Sequence, residues 1–197
     1  MNFTIKHKTG IDETLLWKAF KAGNEHAFGE IYQNYIQALI NYGYKITSNR
    51  QLIQDAIQDL FVELWNSRQR LSETDSIKFY LFRALRNKLT QLLQHEHFDS
   101  IDDTYELLFE QSFEYQMLEN ETQVQHIEQL KTAISQLTKR QQEAINLRYF
   151  HDFSNEEIAQ MMDLNYQSAC KLLYSSLKFL KENIKYSIFL PFIFNWF

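Results

Sequence analysis

The chain has 197 residues, with 25 acidic against 20 basic side chains, a formal net charge of -5, one proline, four glycines and one cysteine. A hydrophobic fraction of 45% and an aromatic fraction of 15% supply a packed core and exclude wholesale disorder, while so few turn residues exclude a β-sandwich or an α/β fold and leave an all-α protein. The lone Cys170 permits no intrachain disulfide and no apolar N-terminal run follows a basic start, so the expected setting is reducing and cytoplasmic.

Asp12 is positioned to cap a short helix bearing Leu15, Leu16, Ala19 and Phe20, which Gly23 stops. Asn24 opens a second, with Ala27, Phe28, Ile31, Tyr32, Tyr35 and Leu39 on one face. Ser48 and Gln51 have the spacing of a capping box ahead of a third, whose apolar residues are Leu52, Ile53, Ala56, Ile57, Leu60, Phe61, Leu64 and Trp65. The opposite face of that helix carries Gln54, Asp55, Gln58, Asp59 and Glu63. On periodicity alone this is a solvated face. A turn-rich stretch, Asn66 to Ser76, leads to a helix over about Ile77 to Glu96, expected to bury Leu81, Ala84, Leu85, Leu89 and Leu92 and to expose Lys78, Arg83, Arg86, Asn87 and Lys88.

Charge is distributed unevenly. Residues 1–96 hold 12 basic and 10 acidic side chains, residues 97–125 hold eight acids and no base, and residues 126–197 hold eight basic and seven acidic side chains. The acidic excess therefore lies in one stretch, read as a linker between two mildly basic segments. A negative total so distributed does not exclude a nucleic-acid partner, although phosphate binding requires basic surface.

Beyond the linker, Ile127, Leu130, Ala133, Ile134 and Leu137 mark an amphipathic helix. Thr138 with Gln141 forms a capping box that opens a helix through Ala144, Ile145 and Leu147 to about Phe150. Ser154 with Glu157 forms another, ahead of Ile158, Ala159 and Met162. The residues Asp163, Leu164 and Asn165 then allow only a tight turn before a longer helix with Ala169, Leu172, Leu173, Leu177 and Leu180 inside. A short helix, a three-residue turn and a long helix have the sequence form of a helix-turn-helix, with Ala159 as the small residue at the crossing and Asp163 tolerating a left-handed backbone. The second helix of such a unit offers its first turns to a DNA major groove. Here Tyr166, Gln167, Ser168, Lys171 and Tyr174 are the candidates, Gln for adenine, Lys for guanine or phosphate, and Ser or Tyr for phosphate oxygens.

Taken in order over roughly residues 12–184, the strings AFGEIYQNY, DAIQDLFVELW, YLFRALRNKL, LTKRQQEAINLRYF, SNEEIAQMM and LNYQSACKLLYSSLKFLKEN resemble the extracytoplasmic-function sigma factors of bacterial RNA polymerase. The resemblance implies two small helical domains joined by an acidic linker: residues 12–97 for core-polymerase binding and promoter opening, 98–125 as linker, 126–184 as a helix-turn-helix domain, and 185–197 as an apolar tail. By position, Asp55, Gln58 and Asp59 would contact the polymerase clamp helices. Arg83, Arg86, Asn87 and Lys88, with the Asn66 to Ser76 loop, would face the downstream promoter element as its strands separate, where a cationic track and a pocket for an extruded base are needed. Tyr166, Gln167, Ser168, Lys171 and Tyr174 would face the upstream element. An anti-sigma regulator is a further implied partner.

Among the aromatics of the fourth helix, Phe79, Tyr80 and Phe82 are candidate stacking platforms of which at least half belong to the core, and Trp65 is assigned to packing. His95, Glu96 and His97 do not place both His on one helical face, so no metal is expected there, and no cofactor or enzyme motif is present in the sequence. The tail SIFLPFIFNWF is too short to span a bilayer, for which about 20 residues are needed. A stand-alone helix-turn-helix regulator and a helical protein-binding adaptor are the competing readings.

Overall fold

The computed structural model describes residues 12–96 and 129–184; the acidic linker, the apolar tail and the His95 to His97 side chains lie outside the described residues. Within them the architecture is helical throughout, and it builds two small domains. The first consists of α1 (Glu13–Lys21), α2 (Glu25–Ile46), α3 (Arg50–Ser67), a 3-10 turn (Arg68–Arg70) and α4 (Ile77–Glu96). The second consists of α5 (129–135), α6 (Lys139–Tyr149), α7 (Asn155–Met161) and α8 (Tyr166–Asn183).

Capping defines most of these boundaries. The Asp12 carboxylate accepts from the Thr14 amide, and Asn24 accepts from the amides of His26 and Ala27. Gly23 ends α1 with φ at +91°, a left-handed conformation that glycine adopts without strain. The expected box of Ser48 and Gln51 does not form. The cap of α3 is Asn49, whose Oδ1 accepts from the Leu52 amide at 3.0 Å, while Gln51 turns outward to donate to Asp55 at 2.9 Å. Asn ranks with Ser as a cap, so one residue's difference in where the chain turns decides between them. Both later boxes form as read, Thr138 with Gln141 and Ser154 with Glu157.

Trp17, Phe20, Ile31, Leu39, Tyr42, Ile53, Leu81, Phe82, Leu85 and Leu89 are fully buried where α2 packs on α3 and α4. Each such side chain contributes about 1.5–3 kcal/mol through apolar area removed from water. On α1 the inward residue is Trp17 rather than Leu15, which is 63% exposed. The indole is fixed by donating to the Ser72 carbonyl at 3.0 Å. The second domain buries Ala133, Ile134, Leu137, Ala144, Leu147, Phe153, Ile158, Ala169 and Leu180, and its core is continuous with the first where α6 meets α2 and α7 meets α4.

Two glycines of α2 have opposite reasons to be there. A Cβ at Gly43 would stand 2.7 Å from Ile53 Cγ2, so the close approach of α2 to α3 requires its absence, whereas a Cβ at Gly29 meets nothing within 4 Å. Gly29→Ala should raise unfolding stability by about 0.5–1 kcal/mol from helix propensity. Gly43→Ala should lower it despite the same gain, since overpacking costs about 1–3 kcal/mol. Urea denaturation of both variants checks the opposite signs.

Candidate nucleic-acid and partner interfaces

The helix-turn-helix is built by its turn. Asp163 has φ at +52°, the left-handed conformation expected of it, and the Leu164 amide donates back to the Ala159 carbonyl at 2.9 Å. Asn165 then caps α8 by accepting from the Ser168 amide at 2.8 Å. α7 is held at its start by the Ser154 amide donating to Glu157 Oε2 at 2.8 Å and the Glu157 amide donating to Ser154 Oγ at 3.2 Å. Its end is tied to α6, because Arg140 donates to the Met162 carbonyl at 3.2 Å. These contacts fix the direction of α8.

On α8, Tyr166, Gln167, Lys171 and Tyr174 are exposed, and Ser168 is half-buried. Gln167, Lys171 and Tyr174 are four and three residues apart and so share one stripe of the helix. Cys170 lies beneath them, with its sulfur accepting from Asn155 at 3.5 Å. A hydrogen bond with Cys170 raises the Tyr166 pKa above its ordinary value. Farther along, Lys178 stands 3.9 Å from Glu182 and Lys181 is exposed.

The five residues expected on the exposed face of α4 are not equivalent. Arg83 and Asn87 are exposed and one helical turn apart. Lys88 donates to Glu63 at 2.6 Å. Arg86 is half-buried rather than exposed: its side chain is 12% exposed, its Nε donates to Glu143 at 2.7 Å, and a terminal nitrogen stands 3.6 Å from Asp163. Lys78, also expected outside, is half-buried, donating to the His151 carbonyl and lying 5.0 Å over the Phe153 ring. Both corrections have one cause. The α4 face carrying Lys78, Phe82 and Arg86 receives the second domain, and nothing in the periodicity of residues 77–96 discloses a partner that far along the chain.

Of the α4 aromatics, Phe82 is fully buried, packing on Phe153 at 5.2 Å and His151 at 4.6 Å; Phe79 and Tyr80 are half-buried. Trp65 packs 5.0 Å from Phe28 and carries the Arg68 guanidinium 4.2 Å over its ring.

On α3, Asp55, Gln58 and Asp59 are exposed, and Asp55 and Gln58 lie at the rim of a groove between α2 and α3. Phe28, Ile36, Ile40 and Phe61 line the groove. Two apolar residues there stay in water, Tyr32 at 43% and Val62 at 52% exposure. Tyr32, expected on the inward face of α2, is out in water, and Val62 carries no expectation from periodicity. Val62 sits between Gln58 and the end of α3 on the polar side, and an apolar residue out of phase with its own helix was the signal available.

The loop between α3 and α4 is held chiefly by α1. Besides the Trp17 bond to Ser72, Lys21 pairs with Glu73 at 2.6 Å, and the two oxygens of Glu13 accept from Tyr35 and from the Ile77 amide, the latter at 2.9 Å. Burial first, and then this carboxylate, push the Tyr35 pKa well up, so its hydroxyl remains a donor. Among the described residues no group of His, Cys, Asp and Glu is placed to hold a metal.

Comparison with known proteins agrees with the order of these parts. Residues 31–97 match the family "Sigma-70 region 2" and residues 127–180 match "Sigma-70, region 4". The chain is 21% identical over 165 residues to the ECF RNA polymerase sigma factor SigX of Bacillus subtilis (strain 168), covering 82% of this chain and 85% of that one. In fold it is similar to CnrH, solved with the cytosolic domain of CnrY, with a TM-score of 0.58, 17% identity, and 87% and 96% of the two chains covered. It is similar as well to the sigma factor RpoE of Bartonella quintana, solved with the anti-sigma factor NepR, with a TM-score of 0.59, 19% identity, and 81% and 98% covered.

Among the described residues Glu13 supplies the acceptors for Tyr35 and the first amide of α4, so Glu13→Ala leaves two part-buried donors unpaired. The expected loss is about 2–4 kcal/mol, at about 1–3 kcal/mol for each unsatisfied group. Amide exchange at residues 72–77 should quicken with it. Unchanged exchange there would mean that the loop is held by other contacts.

Proposed function

The chain belongs to the extracytoplasmic-function sigma factors of the sigma-70 family, and from that premise we propose how its surfaces divide the work of initiation. It is an RNA polymerase sigma factor, which binds core polymerase and promoter DNA and directs transcription initiation. Our assignment gives residues 12–97 the clamp helices and the downstream element, and residues 126–184 the upstream element.

The observation that carries this division is the presence, in one chain, of an exposed apolar groove rimmed by Asp55 and Gln58 and of a capped helix-turn-helix with Gln167 and Lys171 outward. The first suits a protein partner that brings basic and apolar side chains together. The family resemblance assigns Asp55, Gln58 and Asp59 to the clamp helices, and the groove beside Asp55 and Gln58 supports that assignment. Arg83, Arg86, Asn87 and Lys88 are assigned to the backbone and extruded base of the opened downstream element. Tyr166, Gln167, Ser168, Lys171 and Tyr174 are assigned to the upstream duplex, Gln167 and Lys171 for base reading and the others for phosphates and register.

Lys171 is the only cation among those α8 candidates, so the second domain alone binds duplex weakly. Tethering to a polymerase-bound first domain raises its effective concentration at the promoter without any further contact. The protein acts by binding and positioning, with no bond chemistry of its own, and does so in the cytoplasm. Among the described residues no helix is long and apolar enough to cross a membrane. An anti-sigma regulator is a further partner in this reading, in keeping with the fold likeness to a sigma factor solved with one.

Reconstituted transcription tests the assignment. Asp55→Lys combined with Asp59→Lys should weaken core-polymerase affinity at least tenfold, about 1.4 kcal/mol; unaltered affinity would remove the clamp assignment. Gln167→Ala with Lys171→Ala should leave that affinity intact while lowering specific transcripts at least tenfold, with base contacts of about 1–3 kcal/mol each. Free protein that shifts duplex promoter DNA as well as its polymerase complex does would instead mark a stand-alone regulator.

A further inference from the structure

Arg86 is assigned to promoter DNA, yet an anion of its own chain already occupies it. Glu143 Oε1 accepts from Arg86 Nε at 2.7 Å and from the Tyr42 hydroxyl at 2.9 Å. Asp163, in the turn of the helix-turn-helix, adds a second negative charge 3.6 Å away. The Arg86–Glu143 pair is shielded from water, with side chains 12% and 10% exposed beside a fully buried Tyr42, while Asp163 stands at its edge, 82% exposed. Around it, Phe82 packs on His151 and Phe153, and Lys78 donates to the His151 carbonyl.

We propose that this cluster is an autoinhibitory clasp, in which Glu143 stands in for a DNA phosphate on Arg86, so that the second domain must leave the first before Arg86 can meet the promoter. The proposal rests on the assignment of Arg86 to DNA. With Nε bonded to Glu143 and a terminal nitrogen facing Asp163, the guanidinium turns its charge toward carboxylates of its own chain, and a phosphate brought to the same side meets their repulsion. The chemistry of the clasp suits a contact that opens. A buried ion pair gives little net stability over apolar packing because both charges must be desolvated, but it fixes register sharply. Contact between domains of one chain resembles a transient interface rather than an obligate one. The clasp leaves Tyr166, Gln167, Lys171 and Tyr174 exposed. It therefore withholds the downstream contact and leaves the upstream one accessible.

The test uses the full chain with spin labels on Gln33→Cys and Gln160→Cys in a Cys170→Ser background, two exposed sites on α2 and α7. Glu143→Gln removes the charge while retaining the shape. It should move the interlabel distance from one narrow population to a longer, broad one, and should strengthen binding of free protein to forked downstream promoter DNA at least tenfold. Tyr42→Phe, which removes one hydrogen bond, should do both to a smaller extent. Adding Arg86→Ala to Glu143→Gln should abolish the gain in DNA binding while leaving the distances long. Distances and DNA affinity unchanged in both Glu143→Gln and Tyr42→Phe would overturn the clasp. Domains that separate without an Arg86-dependent gain in DNA binding would overturn the assignment of Arg86 to the promoter, and with it the inhibitory role.

Discussion

Glu143 lies 57 residues from Arg86 and 101 from Tyr42 in the chain, and one of its oxygens holds both. The relation between the two halves of the protein depends on this carboxylate. Burial lowers the pKa of Arg86, but the adjoining Glu143 outweighs it and keeps the guanidinium charged. Burial first, then the same carboxylate, push the Tyr42 hydroxyl well above its ordinary pKa, which keeps it a donor. The three groups are therefore mutually satisfied only together, and removing one leaves a buried charge or acceptor without its partner. Aromatic packing around Phe82 and Phe153 supplies adhesion, while the ion pair fixes the register in which the domains meet.

The arrangement places opposite demands on one helix. α4 must offer Arg83 and Asn87 to water and bury Leu81, Leu85 and Leu89 against α2 and α3. A third face then receives α7 and the turn that follows α6. That leaves α4 a single solvated stripe through Arg83 and Asn87, and on its other faces cations serve as packing groups. Lys78 shows the consequence: burial lowers its pKa, partly offset by Asp152, Glu13 and Glu157.

Local signals made much of the fold legible. Helix periodicity and caps at Asp12, Asn24, Thr138 and Ser154 locate elements because both depend on residues a few positions apart. The left-handed turn at Asp163 was legible for the same reason. What failed was either a choice between adjacent caps, Ser48 against Asn49, or a choice of face where the partner is distant in sequence. Leu15 and Trp17 exchange places because the Ser72 carbonyl, 55 residues on, provides for the indole nitrogen. Arg86 appears in sequence as one more basic residue on a basic helix, and Glu143 as a polar residue of α6. Their meeting has no local trace. The exposed residues of α3 and α8 were legible as exposed, whereas their assigned partners came from family resemblance and not from periodicity.

The most direct measurement of the central claim is a double-mutant cycle across Arg86→Met and Glu143→Leu in the full chain, read as unfolding free energy by urea denaturation. Removal of either partner alone should cost about 3–5 kcal/mol, since it strands a buried charge, while the double variant should return to within about 1 kcal/mol of the wild type or exceed it. Single losses that simply add in the double variant would contradict the account, because Arg86 and Glu143 would then not form the buried pair on which the closed chain depends.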